Sequence, residues 1–300
     1  MRILITGAGG TLGGLLAPML ADAGHELVLF DMRPIQTSHE FVQGDLHSPE
    51  DVQEAMQGVE VVVHLAAILG IQSSTPREFY EINLTGTFNV WEAAVRAGVR
   101  GLLFSSTMSI YKPHDRPLHT DRVTVVGEGT PPQPQDIYGY TKAAGEEMCR
   151  LYGRSHGIPS IALRYGMFSP EPFFPYGIRL LYGGVDASDV ARAVVASVDA
   201  LSSSRVQWDA FNVQSLVPFS DEDHPQLLRD PLFVLDRHYP GAAGLLRERG
   251  VERLAPIHEY YDMEHAADVL GFRPECNFER WLEELRSRPE ERTPKNPPWP

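Results

Sequence analysis

Residues 2–13, RILITGAGGTLG, decide the fold. Arg2–Thr6 (RILIT) is a short apolar run and reads as a buried strand. Glycines follow at 7, 10 and 13, and Thr11–Ala23 continues with helical apolar spacing. Strand, glycine loop and helix in direct succession give the spacing G-x-x-G-x-x-G a physical meaning. Gly7 permits the tight strand-to-helix turn, Gly10 lets backbone approach a pyrophosphate, and Gly13 lets the helix pack close to the sheet. The helix N-terminus offers unpaired N–H groups to the anion, with Thr11 and Leu12 in its first turn. Asp31 ends the next strand, Glu26–Asp31, 18 residues past Gly13. A carboxylate there accepts from both adenosine ribose hydroxyls and repels a 2′-phosphate, which favours NAD. Arg33 offers the opposite attraction, so NADP stays open.

Alternation continues outward from this stretch. Strands are expected at Phe41–Gly44, Glu60–Leu65, Leu102–Ser105 and Pro159–Arg164. Helices are expected at Pro49–Met56 with Ser48 as N-cap, at Pro76–Ala97 stopped by Gly98, and at Asp136–His156 stopped near Gly157. Strands alternating with helices predict α/β architecture, a Rossmann-type doubly wound parallel sheet. Lys112–Gln135 reads as a loop rich in Pro, Gly and charge. Tyr165–Tyr182 carries six aromatics in 18 residues, and Ser188–Leu201 returns to an amphipathic helix. From Phe211 onward short helical segments are expected, ending in Phe278–Leu285. The expected division is a dinucleotide-binding domain over 1–165 and a smaller C-terminal substrate-binding region over 166–287. Residues 185–213 return to the first domain, and 288–300 form a proline-rich tail.

The 300 residues are 43% hydrophobic and 22% charged, enough apolar matter for a sizeable core. The net charge of −14 argues against a nucleic-acid or anionic-membrane surface. No stretch is long and apolar enough to span a bilayer, and the N-terminus reads as no signal peptide. Two cysteines, Cys149 and Cys276, are too few for a disulfide framework or zinc cluster. His64 reads as a strand end rather than a catalytic group, and the other histidines show no metal-site spacing. A reduced, cytoplasmic, metal-free protein is expected. Only three of the 26 basic residues are lysines, namely Lys112, Lys142 and Lys295.

TGAGGTLG (6–13), GDL (44–46), HLAA (64–67), NLTGTFNVWEAA (83–94), FSSTMSIY (104–111) and YGYTK (138–142) occur in order. In this series the chain resembles the extended short-chain dehydrogenase/reductase superfamily, in its NAD-dependent epimerase/dehydratase group. The resemblance covers residues 1 to about 200 and is looser beyond. It implies that Asp45 and Leu46 border the adenine and that Leu65, Ala66 and Ala67 line the cofactor. It also implies that Asn83 organises the site, with Ser105 and Tyr165 on the cofactor side. A homodimer through the two long helices is a further implication.

Tyr138 and Lys142 stand four apart, which places them on one helix face. A tyrosine with an ordinary pKa is a poor base at neutral pH, and an adjacent ammonium favours its phenolate. The lysine is also suited to hydrogen-bond the nicotinamide ribose. Ser105-Ser106-Thr107 closes the preceding strand. By the family pattern Thr107 takes the catalytic hydroxyl position, with Ser106 as runner-up. The implied chemistry is hydride transfer at a secondary hydroxyl of a sugar, Tyr138 taking the proton and Thr107 holding the oxygen.

Substrate contacts are expected from Met108, Ser109, Tyr165, Phe173, Phe174, Tyr176 and Arg179, and from the Ile68–Ser74 loop. Arg179 is suited to a carboxylate or phosphate, though core packing and a solvated arginine are equally open. The leading expectation is a nucleotide-sugar epimerase-type enzyme. The alternative is a free sugar or uronate dehydrogenase, which the short Arg164–Gly184 connection and LRYGMFSPEP resemble. Met108-Ser109, where a dehydratase carries an Asp-Glu pair, lowers that third reading. A dinucleotide-binding sensor without chemistry predicts loss of the Tyr, Lys or Thr that are present.

Overall fold

The computed structural model of the chain describes residues 1–69, 74–112, 117–203 and 205–294. Seven parallel strands form the central sheet. They are β1 (Arg2–Thr6), β2 (Glu26–Asp31), β3 (Glu40–Gln43), β4 (Val61–His64), β5 (Gly101–Thr107), β7 (Ser160–Tyr165) and β8 (Trp208–Val213). Their order is β3-β2-β1-β4-β5-β7-β8, so the sheet winds outward in both directions from β1 and β4.

Side-chain alternation divides two apolar layers. Ile3, Ile5, Leu27, Leu29, Val61 and Val63 face one layer, which is completed by α1 (Thr11–Asp22), α7 (Ala187–Ser202) and α11 (Glu264–Leu270). Leu4, Val28, Phe30 and Val62 face the other, against α2 (Pro49–Ala55), α4 (Gly86–Ala97) and α5 (Ile137–His156). Burial on both faces is why these strands read as continuous apolar runs. Ser48 caps α2, its side chain accepting from the Asp51 N–H.

Three features depart from the expected pattern. The Pro76–Ala97 helix is broken into α3 (Pro76–Tyr80), a π-helical turn (Glu81–Thr85) and α4. The segment from Phe211 begins inside strand β8, since WDAFNV pairs with β7 in register. Within Lys112–Gln135, Thr124–Val126 forms β6 and pairs in parallel with β9 (Glu259–Tyr261).

A separate apolar cluster organises the C-terminal third. It joins α6 (Phe173–Arg179), α8 (His224–Leu227), α9 (Pro231–His238), α10 (Ala242–Glu248) and α12 (Phe278–Arg286). Helix α11 leaves this group and packs on the sheet through Ala266 and Leu270. In a parallel sheet the ends of β1, β2, β4, β5 and β7 lie along one edge, and that edge carries the site.

Candidate active site

The glycine loop leaves the end of β1 in a tight turn. Gly7 has φ +72°, and its N–H and that of Ala8 donate to Phe30 O at 2.8 and 3.2 Å. A Cβ at Gly7 would stand 2.7 Å from Ala66 N, so the loop lies directly against the segment after β4. Gly13 makes its close approach to the Ala8 backbone rather than to the sheet: a Cβ there would lie 2.5 Å from Ala8 O. Gly10 is the N-cap of α1, which has no side-chain cap and no acidic residue in its first turn. Thr11 is exposed and Leu12 buried beside these amides. Such an end is suited to a phosphate.

Asp31 is buried and accepts from Gly9 N at 2.9 Å and Arg33 N at 3.0 Å. Those bonds orient its carboxylate beside the loop. The Arg33 side chain is largely exposed, its Nε 3.8 Å from Asp31 Oδ1. Asp45 is exposed, with its Oδ1 accepting from His47 N at 2.9 Å. Leu46 is buried under Gly86, and its carbonyl accepts from Asn89 Nδ2 at 2.8 Å. Leu65, Ala66, Ala67 and Ile68 are half-buried along the run after β4. The loop's uncapped helix end and the oriented Asp31 together fit a dinucleotide.

Asn83 sits on the π turn, a device frequent at functional sites. Its Oδ1 accepts from Ile68 N at 2.7 Å, and its Nδ2 donates to Ile68 O at 2.9 Å. Nδ2 also lies 3.4 Å from Thr141 Oγ1, whose hydroxyl donates to Tyr138 O at 2.8 Å. Residues 70–73 of the expected Ile68–Ser74 contact lie outside the described residues.

Helix α5 begins at Asp136, which accepts from Gly139 N at 2.6 Å. Gly139 packs so closely that a Cβ would lie 2.4 Å from Ser109 O. Tyr138 meets Phe79 edge-on, ring centroids 6.1 Å apart. Burial pushes the Tyr138 pKa up to about 12; the Thr107 side chain acts to lower it, and the Asp136 charge adds to the rise. Lys142 Nζ donates to Ser105 O at 2.8 Å and lies 5.1 Å from the Phe104 ring centroid. Burial lowers its pKa to about 7. The ammonium donates to the β5 backbone, and burial is the largest influence on both groups.

Strand alternation separates the three hydroxyls of β5. Thr107 caps the short Met108–Ile110 turn by accepting from Ser109 N at 3.2 Å. Ser105 Oγ donates to Tyr165 OH at 3.3 Å, which places Tyr165 in the core beneath the strand. Ser106 points the other way and donates to Glu146 Oε1 at 2.5 Å. Glu146 pairs with Arg164, Nη2 to Oε2 2.7 Å and Nε to Oε1 3.0 Å, with both side chains almost wholly buried. Arg164 Nη1 donates to Tyr111 OH at 2.6 Å, and that hydroxyl donates to Asn212 Oδ1 at 2.9 Å. Sequence reading passed over this network, although Glu146 lies one helical turn beyond Lys142.

Several expected substrate contacts are occupied otherwise. Phe173 and Phe174 pack on Trp281, centroids 5.6 and 5.5 Å away, and Phe174 is buried in the C-terminal cluster. This is the core-packing arrangement that stood beside the substrate reading, with Phe173 only half-buried. Arg179 is held by Glu171 at 2.5 Å, by Met167 O, and by Val185 O at 3.4 Å. It ties the chain after β7 and is no solvated arginine. Tyr176 OH donates to Asp186 Oδ2 at 2.9 Å. Met108 is buried with Tyr111 and Tyr261, and Ser109 is buried beside Thr107.

Residues 3–175 match the model of the NAD dependent epimerase/dehydratase family. The chain belongs to that family. Its members are NAD-dependent epimerases and dehydrogenases of the extended short-chain dehydrogenase/reductase type, and so is this enzyme. The uronate dehydrogenase of Pseudomonas syringae pv. tomato is 30% identical over 76% of this chain and 84% of its own. The UDP-glucose 4-epimerase of Azospirillum brasilense is 31% identical over 55% of this chain and 48% of its own. A short-chain dehydrogenase/reductase superfamily protein of Agrobacterium tumefaciens, solved with bound NAD, shares the fold. Its TM-score is 0.72 at 22% identity, covering 96% of this chain and 98% of that one. The family relation supports a sugar epimerase or dehydrogenase. Among the described residues no group of His, Cys, Asp and Glu could hold a metal ion, and no helix is long and apolar enough to cross a membrane.

Proposed function

We propose that this enzyme transfers a hydride between NAD and a secondary hydroxyl of a sugar, in the manner of a nucleotide-sugar epimerase. What supports this reading is that Thr107 ends β5, that Tyr138 and Lys142 lie on the first turns of α5 packed against it, and that Lys142 Nζ reaches Ser105 O on the same strand, on the sheet edge that bears the glycine loop. NAD, when bound, supplies a hydride acceptor at its nicotinamide. Gly10 and the first turn of α1 hold the pyrophosphate, and Asp31 takes the adenosine ribose. Thr107 and Tyr138 converge on the reacting oxygen: Thr107 donates to it, and Tyr138 removes or returns its proton. Lys142, anchored on Ser105 O, keeps an N–H donor beside the ribose position.

A second reading, net oxidation of a free sugar or uronate, is favoured by the longer alignment with the uronate dehydrogenase. Incubation with NAD and a panel of UDP-, GDP- and dTDP-sugars and free uronates separates the two. An epimerase changes the sugar without accumulating reduced nicotinamide; a dehydrogenase accumulates it in step with product. Tyr138→Phe should abolish either reaction while NAD binding persists. Failure of the wild-type protein to bind NAD would overturn both.

The same reading includes a homodimer through α4 and α5, supported by exposed Phe88 and Leu151 on those helices. It also includes a cytoplasmic setting, supported by two unpaired cysteines. Residues 166–287, apart from the 185–213 return to the first domain, supply the substrate side.

A further inference from the structure

Three buried polar side chains outside the catalytic set, Thr6, His64 and Thr87, form one directed chain of hydrogen bonds that ends on the Asn83 carbonyl. Thr6, at the end of β1, lies 2.7 Å through Oγ1 from His64 Nδ1. His64 Nε2 lies 2.9 Å from Thr87 Oγ1 on α4. Thr87 Oγ1 lies 2.6 Å from Asn83 O, an acceptor only, so the Thr87 hydroxyl must donate there. Its proton is thereby spent, and His64 must donate from Nε2. The imidazole thus carries a proton on Nε2. Burial keeps it neutral, so Nδ1 accepts from Thr6 Oγ1, which itself accepts from Ala66 N at 3.3 Å. Burial pushes its pKa down to about 3, and the nearby Lys142 charge acts in the same direction.

We infer that His64 is a positioning residue for Asn83, bracing the π turn against the strand that carries the glycine loop. Without that brace the Asn83 carbonyl loses its link to β1, and the Asn83 amide loses its hold on Ile68 and Thr141. Through Thr141 the same chain reaches the Tyr138 backbone. His64 acts through Asn83 and touches no reacting atom.

The test exploits the two arms. Gln at 64 can still donate toward Thr87, whereas Asn reaches only the Thr6 side. In the full-length protein, exchange of the Ile68 amide, which donates to Asn83 Oδ1, should quicken about tenfold in His64→Asn and stay near wild type in His64→Gln. Thr87→Val, which leaves His64 in place, should match His64→Asn. Nitrogen NMR of the labelled imidazole should show the Nε2-protonated neutral form throughout the neutral pH range. Equal exchange in the Asn and Gln variants would overturn the inference, as would a titrating imidazole. An accompanying fall in turnover rests on the proposed function; the exchange and tautomer readouts do not. A protein that converts no sugar therefore refutes that reading alone.

Discussion

Gly13 and Gly14 are neighbours on α1, and replacing each with alanine should move stability in opposite directions. A methyl at Gly13 would meet Ala8 O at 2.5 Å, Ala8 Cα at 2.7 Å and Ala8 C at 2.8 Å. All three are backbone atoms and cannot rotate aside, so the overlap costs about 3 kcal/mol, the upper end of ordinary overpacking. Alanine's better helix propensity returns about 1 kcal/mol. The net for Gly13→Ala is then about 2 kcal/mol of destabilisation. A methyl at Gly14 meets nothing within 4 Å and projects to solvent, which leaves only the propensity gain. That gain is about 1 kcal/mol.

The two variants should differ by about 3 kcal/mol, or roughly 5 °C in melting midpoint for a chain this size. Urea and thermal midpoints read the stability difference. Titration with NAD reads the geometry, since relief of the overlap must lever the first turn of α1 away from Gly7–Gly10. NAD affinity should fall at least about tenfold in Gly13→Ala, equivalent to about 1.4 kcal/mol, and hold in Gly14→Ala. Equal midpoints for the two variants, or a neutral Gly13→Ala with full NAD affinity, would refute the reasoning.

Removing one partner of the buried Glu146–Arg164 pair, by Glu146→Gln or Arg164→Met, should cost about 3–5 kcal/mol. The double variant should lose less than the sum, and a double-mutant cycle in urea measures the coupling. His64 has a folded-state pKa near 3 against an ordinary 6.5, so the unfolded chain binds more protons between those values. Stability should therefore fall as pH drops through that window, and acid titration of His64→Gln should show a shallower limb by up to about one proton. Phe88→Asp with Leu151→Asp should halve the particle mass in analytical ultracentrifugation and leave NAD binding intact.

What could be read from the chain is what local spacing encodes. The glycine loop, Asp31, Asn83 and Tyr138-x-x-x-Lys142 each announce themselves within a few residues of a strand end or along one helix face. The π turn has no such signature, because NLTGTF keeps helical periodicity while one extra residue is absorbed. Strand β8 escaped because its alternation begins at Trp208 and Asp209, both half-buried, and Phe211 alone resembles the helical segments after it. Strand β6 is three residues long and finds its partner more than a hundred residues later, where no periodicity can point. The same separation hid the polar network, in which Tyr111 reaches Asn212. The aromatics after β7 advertise a pocket by composition, yet Phe173 and Phe174 answer to Trp281, a residue on the last helix.

Burial is the largest influence on the Tyr138 phenol. Four residues of helix bring Lys142 to the same face, but its Nζ is claimed by Ser105 O, and burial dominates both titrations. Among the side chains acting on the phenol, Thr107 lowers its pKa by hydrogen bonding and Asp136 raises it by charge. The oxidative direction needs the phenolate, so with a pKa near 12 its kcat/KM should climb with pH across the neutral range. Asp136→Asn keeps a good helix cap and removes the charge, and should move that climb to lower pH. Thr107→Val removes the stabilising hydroxyl, and its residual activity should climb only at higher pH. Opposite displacements of the two profiles follow from neighbours that act on one phenol with opposite sign. Displacements in the same direction would mean that some other group titrates in the rate, and the proton acceptor would have to be sought away from Tyr138.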